Sequence, residues 1–373
     1  MEYRPLDERS KLPAINVAVL PWLGVDHAPT PNRDPMMLHM SLHHWATVMG
    51  TPWFLAPGPA GTNLLRELVK AKDAKGTIIP ATRSLRGPVN MADKTRDAIM
   101  RGWENAEPPD GYALWTNKER ARREAGRQYL HTYDIRRQWI AAANAAVVAP
   151  FGLEHTGPDV DYSPRRTGFH LIDPRTWRWD ELLPDPCGRS GRVYGDEPIW
   201  VTSATLGLLN EYTIKMVHDG YDVHDSYTAD GTELLRPWGA RMVTALDDPF
   251  ISPVAKHVYA RTLSHIQGRG RPVYRPDWAL TVIGLARANL WRKLWTIGDQ
   301  SQAWPSRIAK DAVTYATPLD DPQEYAARMG VDLRDVRAGK FKWEKSSEFK
   351  DGKRVRQWRP GMRDAVLIER RGH

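Results

Sequence analysis

Apolar positions along the chain gather in short clusters separated by Pro, Gly and Asp, and those clusters set the expected elements. Residues 14–23 read as a strand. After a Pro/Asp-rich loop, residues 37–49 read as a helix, residues 53–55 as a second strand, and residues 62–72 as a helix following a turn at 57–61. Residues 80–128 are polar and irregular, with a helix expected over 117–129. Residues 130–134 have the apolar, aromatic character of a buried strand end, and the Ala-rich run 135–148 favours helix. Residues 150–195 read mainly as loop. Helices are expected over 203–218, 252–266 and 275–295, the last opening on Pro276 and Asp277, which suit a first helical turn. Residues 308–316 read as a short strand interrupted by Asp311, and the chain after Gly339 as a strongly basic tail. No repeat of fixed period and no low-complexity tract is present.

Composition narrows the function classes. A hydrophobic share of 41% and a charged share of 26% over 373 residues fit a globular chain of two or three domains. Apolar stretches such as 141–151 are too short to span a bilayer, and the N-terminus shows no basic region followed by an apolar run. The expectation is a cytoplasmic protein without a membrane partner. Cys187 is the single cysteine, which excludes an intrachain disulfide and Cys-based zinc or iron–sulfur sites. The formal charge of +8 suits a phosphate-bearing partner.

The candidate chemistry lies in two acids. Nucleotidyl transfer assisted by two metals needs carboxylates from separate strands to converge, each flanked by apolar residues that fix it. Tyr133-Asp134-Ile135 and Ile308-Ala309-Lys310-Asp311-Ala312-Val313 meet that description. A lone Asp beside apolar neighbours is more often a cap or turn residue, so the pattern alone leaves both readings open.

The order of segments adds a resemblance. Leu130-His-Thr-Tyr-Asp134-Ile-Arg-Arg-Gln-Trp139 resembles motif A of the family B DNA polymerases of the protein-primed kind. Residues 200–238 resemble the connection from motif A to the fingers. Lys256 through Gly268 is similar to motif B, without its usual Asn and Tyr-Gly pair. Residues 275–293 resemble the palm helix before motif C. Ala309-Lys310-Asp311-Ala312 stands at motif C, normally Asp-Thr-Asp-Ser, with the second acid kept and the first replaced by Ala309. Gly339-Lys340-Phe-Lys342-Trp343-Glu344 looks like the Lys-Leu-Gly-Tyr-Trp-type segment that follows. These matches run from Leu130 to Glu344.

The resemblance implies an α+β fold, with a polymerase-like palm built on an antiparallel sheet, helical fingers and a small N-terminal α/β domain. The implied units are 1–128, a degenerate exonuclease-like remnant; 129–200, palm with motif A; 201–268, helical connection and fingers; 269–338, palm with motif C; and 339–373, a basic tail or reduced thumb. Asp134 and Asp311 would be catalytic and hold Mg²⁺ or Mn²⁺. Trp139 would lie under the nucleotide sugar, while Lys256 and Arg261 would meet the triphosphate. Arg269 and Arg271, in a Gly-Arg-Gly-Arg-Pro turn, and Lys340 and Lys342 would contact DNA. Residues 1–80 hold no Asp-x-Glu pair, and Asp7-Glu8 has the wrong spacing for exonuclease metals. The implied function is an exonuclease-free, Mg²⁺-dependent DNA polymerase that replicates a mobile element or linear replicon of high-GC bacteria, their plasmids or phages. Its partners would be DNA, deoxynucleoside triphosphates and a terminal or primer protein. The alternative is a polymerase-derived DNA-binding scaffold without catalysis, which the missing acid and the altered motif B favour. Retention of Asp134, Trp139, Lys256 and Asp311 in register favours the enzyme.

Overall fold

The computed structural model describes residues 2–3, 15–16, 35–72, 75–81, 114–117, 129–158, 162–174, 182–187, 198–216, 221–268, 271–350, 353–361 and 366–367. Strands β1 (Glu2–Tyr3) and β2 (Ile15–Asn16) pair antiparallel. Helices α1 (Pro35–Met49) and α2 (Pro57–Leu68) precede the hairpin β3 (Lys70–Lys72) and β4 (Ile78–Pro80). Strands β5 (Leu114–Thr116) and β6 (Tyr129–Ile135) lead to α3 (Gln138–Ala145). Then come β7 (Glu154–His155), β8 (Arg166–Pro174), β9 (Ile199–Thr202), α4 (Ser203–Met216) and β10 (Tyr221–Asp230). Helices α5 (Arg236–Asp247), α6 (Ser252–His265) and α7 (Pro276–Ser301) follow. The chain continues through β11 (Arg307–Ala309), β12 (Ala312–Thr317), α8 (Pro322–Arg328), β13 (Phe341–Lys350), β14 (Lys353–Trp358) and β15 (Val366–Leu367).

Two larger antiparallel sheets give the chain its mixed α and β character. One runs β15-β14-β13-β6-β12-β11-β5, with β6 near its middle, and the other runs β7-β10-β8-β9. Alternation along β6 explains its place. Tyr133 and Ile135 point to one face, where they join Val313, Tyr315 and Phe341 against Trp291, Leu294 and Ile297 of α7. Thr132 and Asp134 point to the other face, where Thr132 hydrogen-bonds Thr314 at 3.0 Å. A second core joins α1, α2, α3, α5, α6 and the first half of α7 around Trp45, Trp53, Trp238 and Trp278. Gly61 makes the α2–α6 contact possible, because a Cβ there would lie 1.8 Å from Thr262 Oγ1.

Several sequence expectations change. Residues 53–55 form an irregular turn rather than a strand: Leu55 takes φ 56°, and Trp53 is buried edge-on to Trp45. The helix expected over 62–72 starts at Pro57, which a first helical turn accepts, and ends at Leu68, before β3. Of the strand expected at 14–23, Ile15–Asn16 is described. Of the helix expected at 117–129, residues 118–128 lie outside the described residues, and Tyr129 belongs to β6. The stretch 150–195, expected as loop, contributes the nine-residue β8, and the expected helical connection contains β10. Both carry polar residues between their apolar ones, which masked the alternation. The interrupted strand at 308–316 is a hairpin, β11–β12. The expected tail is a pair of sheet strands, because Phe341 and its apolar neighbours pay into the core behind the sheet while the basic residues between them face outward. No helix among the described residues is long and apolar enough to cross a membrane.

Arg275, fully buried at the start of α7, ties distant segments together. Its guanidinium donates to Asp277 Oδ1 at 3.0 Å and Oδ2 at 2.6 Å, to the carbonyls of Ala81 (3.0 Å), Pro150 (2.8 Å) and Ala149, and lies 3.9 Å from the centre of the Trp278 ring. Removing one partner of a buried, fully hydrogen-bonded pair leaves a charge and several carbonyls unsatisfied, at a cost of about 3–5 kcal/mol. Arg275→Met is expected to lower unfolding stability by that order, measured by chemical denaturation, whereas Arg328→Met, on an exposed helical pair, is expected to change it by less than ~0.5 kcal/mol. Equal effects would remove Arg275 from this structural role.

Candidate active site

The two candidate acids meet at one end of the larger sheet. Asp134 is the penultimate residue of β6, and its Cα pairs with Ala312 on one side and Lys342 on the other. Asp311 occupies the two-residue turn between β11 and β12, with Ala309 and Ala312 closing the hairpin. Lys310, the other turn residue, has φ 57°, the positive angle that tight hairpins of primed type need at their first turn position. The Asp311 carbonyl accepts from the Ile135 amide at 3.3 Å, which fixes the turn against the end of β6.

Charge at this corner is crowded. Lys342 Nζ lies 2.6 Å from Asp134 Oδ2, with side chains 35% and 17% exposed. Asp134 Oδ1 is buried, and no hydrogen-bond donor reaches it. The Asp311 carboxyl lies near enough to Asp134 for the two negative charges to act on each other. Burial first, and the Asp134 charge second, push the Asp311 carboxyl up to about 6, while Lys342 pulls it the other way. Tyr259 of α6 faces the same corner. Its hydroxyl is held protonated above the usual tyrosine range by burial, then by Asp311 and Asp134, against the lowering effect of Arg137.

This donor set fits a hard divalent cation. A buried carboxylate oxygen without a donor, beside a second carboxyl that resists ionising next to it, is relieved by a positive ion accepting both. Among the described residues no group of three or more His, Cys, Asp and Glu is arranged to hold a metal ion. Mg²⁺ typically takes one or two protein carboxylates and completes its shell with water and phosphate oxygens, so two acids suffice.

The other expected residues fall on several different elements. Trp139, second residue of α3, is half-buried against the helical core. Lys256 is exposed on α6, three positions before Tyr259 and so on the same side of the helix. Arg261 is also exposed on α6 but sits roughly 140° around it from Lys256. Arg271 is exposed after α6, and Arg269 lies outside the described residues. Lys340 reaches Asp335 at 3.5 Å. Lys342, expected on DNA, lies on the strand next to β6 and pairs its ammonium with Asp134. Sequence reasoning gave Tyr259 no role; its spacing from Lys256 was the available signal. Asp173, on a similar apolar run, sits in the other sheet opposite Asp222.

Comparison with known proteins gives one kind of likeness. No family model and no curated protein matches the chain. In structure it is similar to Phi29 DNA polymerase complexed with primer-template DNA and incoming nucleotide substrates, with a TM-score of 0.53 and 12% identity over 95% of this chain and 62% of that one. The binary complex of the same polymerase with primer-template DNA gives 0.53 and 11%, over 86% of this chain and 57% of that one. The complex with single-stranded DNA gives 0.52 and 11% at the same coverage. The chain thus spans less than two thirds of the polymerase it resembles, and the likeness is one of fold: polymerase-like, mixed α and β, with antiparallel sheets.

The Asp311 shift has a direct consequence for stability. A carboxyl whose pKa is raised on folding binds its proton more tightly in the folded chain. Stability is therefore unpenalised below the ordinary carboxylate range and falls as pH rises through about 6. In metal-free buffer, Asp311→Asn is expected to stabilise the protein by about 1–3 kcal/mol at pH 7.5, with the gain vanishing near pH 4. Denaturant unfolding of both proteins across that range checks it. A variant no more stable than wild type at pH 7.5 would contradict the crowded-pair geometry.

Proposed function

We propose that this chain is a family B, protein-primed type of DNA polymerase, working with Mg²⁺ or Mn²⁺ and without exonuclease activity. The observation that carries the reading is the convergence of Asp134 and Asp311 on one sheet corner, with a donorless carboxylate oxygen, in a polymerase-like fold. The seven-stranded sheet would serve as palm, and α6 as part of the fingers. Nothing in residues 1–80 has the Asp-x-Glu spacing of an exonuclease.

Asp134 and Asp311 would hold the cation. When bound, it would make the attacking hydroxyl more nucleophilic and neutralise charge on the triphosphate. The exposed ammonium of Lys256 is available to phosphate oxygens on the α6 face that carries Tyr259, and Arg261 would extend the basic surface of that helix. The indole of Trp139 would lie under the sugar. Arg269, Arg271 and Lys340 would hold the DNA backbone. In the reaction, a 3′ or protein-borne hydroxyl oxygen bonds the α-phosphorus, the bond to pyrophosphate breaks, and the hydroxyl proton passes to water. The Asp134–Lys342 ion pair, and Ala309 where the resemblance has an acid, favour a second reading: a DNA-binding scaffold that has lost catalysis.

Primer extension by the full chain separates the two. Wild type is expected to incorporate nucleotides with Mg²⁺ or Mn²⁺. Asp134→Asn and Asp311→Asn should each reduce incorporation by at least ~100-fold with DNA affinity kept. Asp173→Asn should retain activity. A wild type that binds primer-template tightly but incorporates nothing leaves the scaffold reading standing. Lys256→Ala is expected to raise the nucleotide concentration needed for half-maximal rate about tenfold, with the DNA Kd unchanged. Parallel loss of both would make Lys256 a backbone contact.

A further inference from the structure

Lys342 is the residue at this corner whose place the proposed chemistry leaves unexplained. Its ammonium sits at ion-pair distance from Asp134 Oδ2, 2.6 Å away, while the other oxygen of the same carboxylate is buried without a donor. The position is built into the sheet. Lys342 pairs in register with Asp134, Phe341 before it is buried in the core behind the sheet, and the β-bulge between Trp343 and Lys345 begins directly after it. Trp343 is held in turn by a 3.0 Å hydrogen bond from its Nε1 to Ser346 Oγ. Strand pairing and two aromatic neighbours therefore aim this side chain at the Asp134 face.

We propose that Lys342 is a resident counter-ion at the acid pair, which a divalent cation must displace from Asp134 in order to bind. A hard cation bonds carboxylate oxygen at ~2.0–2.1 Å for Mg²⁺, so on either oxygen of Asp134 it would stand within a few Å of the Lys342 ammonium, and repulsion between the two positive charges drives the ammonium away. The flexible four-carbon stem lets the ammonium leave without moving the strand. The pair thereby keeps Asp134 charge-compensated before the cation arrives, and it sets the cation concentration at which the site loads. This inference rests on reading Asp134 and Asp311 as cation ligands.

Mn²⁺ binding to the full chain, followed by the electron paramagnetic resonance signal of free Mn²⁺, tests it without any need for catalysis. Lys342→Met is expected to lower the Mn²⁺ Kd about tenfold or more. Lys342→Arg, which keeps the charge, should bind no more tightly than wild type. Lys350→Met, at the far end of the same strand, should match wild type. A second measurement uses wild type alone and so survives a poorly folded variant. Acylation of Lys342 by an N-hydroxysuccinimide ester, read by mass spectrometry, should rise when Mn²⁺ is added, while labelling of Lys350 stays constant. If wild type binds Mn²⁺ in a way abolished by Asp134→Asn, yet Lys342→Met binds no tighter and Lys342 labelling does not change, the displacement is overturned and the cation site stands. If Mn²⁺ binding is absent in every protein, or indifferent to Asp134→Asn, the cation site and the displacement fall together.

Discussion

Pairing of β6 on both of its edges is the constraint from which the site follows. An antiparallel strand flanked on both sides fixes which residues of its neighbours stand beside each of its own. At Asp134 these neighbours are Ala312, which follows the Asp311 turn directly, and Lys342. A slip of one residue on either edge would send Tyr133 to the open face and Asp134 into the apolar side against α7. Burial of Tyr133, Ile135, Val313, Tyr315 and Phe341 on that side opposes the slip, and so holds two mutually repelling acids together on the other. The charged corner is unfavourable by itself; the hydrophobic face behind it supplies the offset.

Helix α7 connects that face to the rest of the molecule. Its later turns cover the sheet through Trp291, Leu294 and Ile297, and its first half joins the helical core through Trp278, Ala279 and Val282. Arg275 anchors its start to carbonyls of residues 81, 149 and 150. The same helical core contains Ala255 and Val258, which seat α6 so that Tyr259 feels the charges of Asp134 and Asp311. Sheet and helices thus meet at the acids, and α6 carries the exposed Lys256 on the side of the helix that bears Tyr259.

Much of this was legible in the sequence where local signals and tertiary demands agree. The strand ending near Asp134, the helices at Ser203–Met216 and Ser252–His265, and the Pro-Asp opening of α7 all lie within a few residues of their expected bounds. What was hidden depended on long-range pairing. Lys310 carries none of the Gly or Asn signature of a tight hairpin, so β11 and β12 read as one strand; its φ of 57° is imposed by pairing to β5 and β6. β13 and β14 read as a solvated tail because lysine and arginine dominate their outward positions, and only contact with β6 reveals the inward set. The nearness of Asp134 and Asp311 was an expectation from order along the chain; the ion pair of Lys342 with Asp134 had no local signal.

Ala309, which stands where the resemblance has an acid, can be weighed on the same geometry. Ala309 pairs with Ala312, which pairs with Asp134, so all three side chains stand on one face, with Ala309 two strands from Asp134. Strands lie ~4.8 Å apart, which puts position 309 near twice that distance from Asp134, whereas Asp311, in the turn, is near enough for the Asp134 charge to raise its pKa. An acid at 309 would add a third negative charge at the margin of the corner, and Lys342 adds a positive one at its centre. With two acids ionised and Lys342 in place, the corner carries a single net negative charge. That balance lowers the electrostatic cost of holding the two acids together, and at the proposed cation site it would also weaken the pull on a cation.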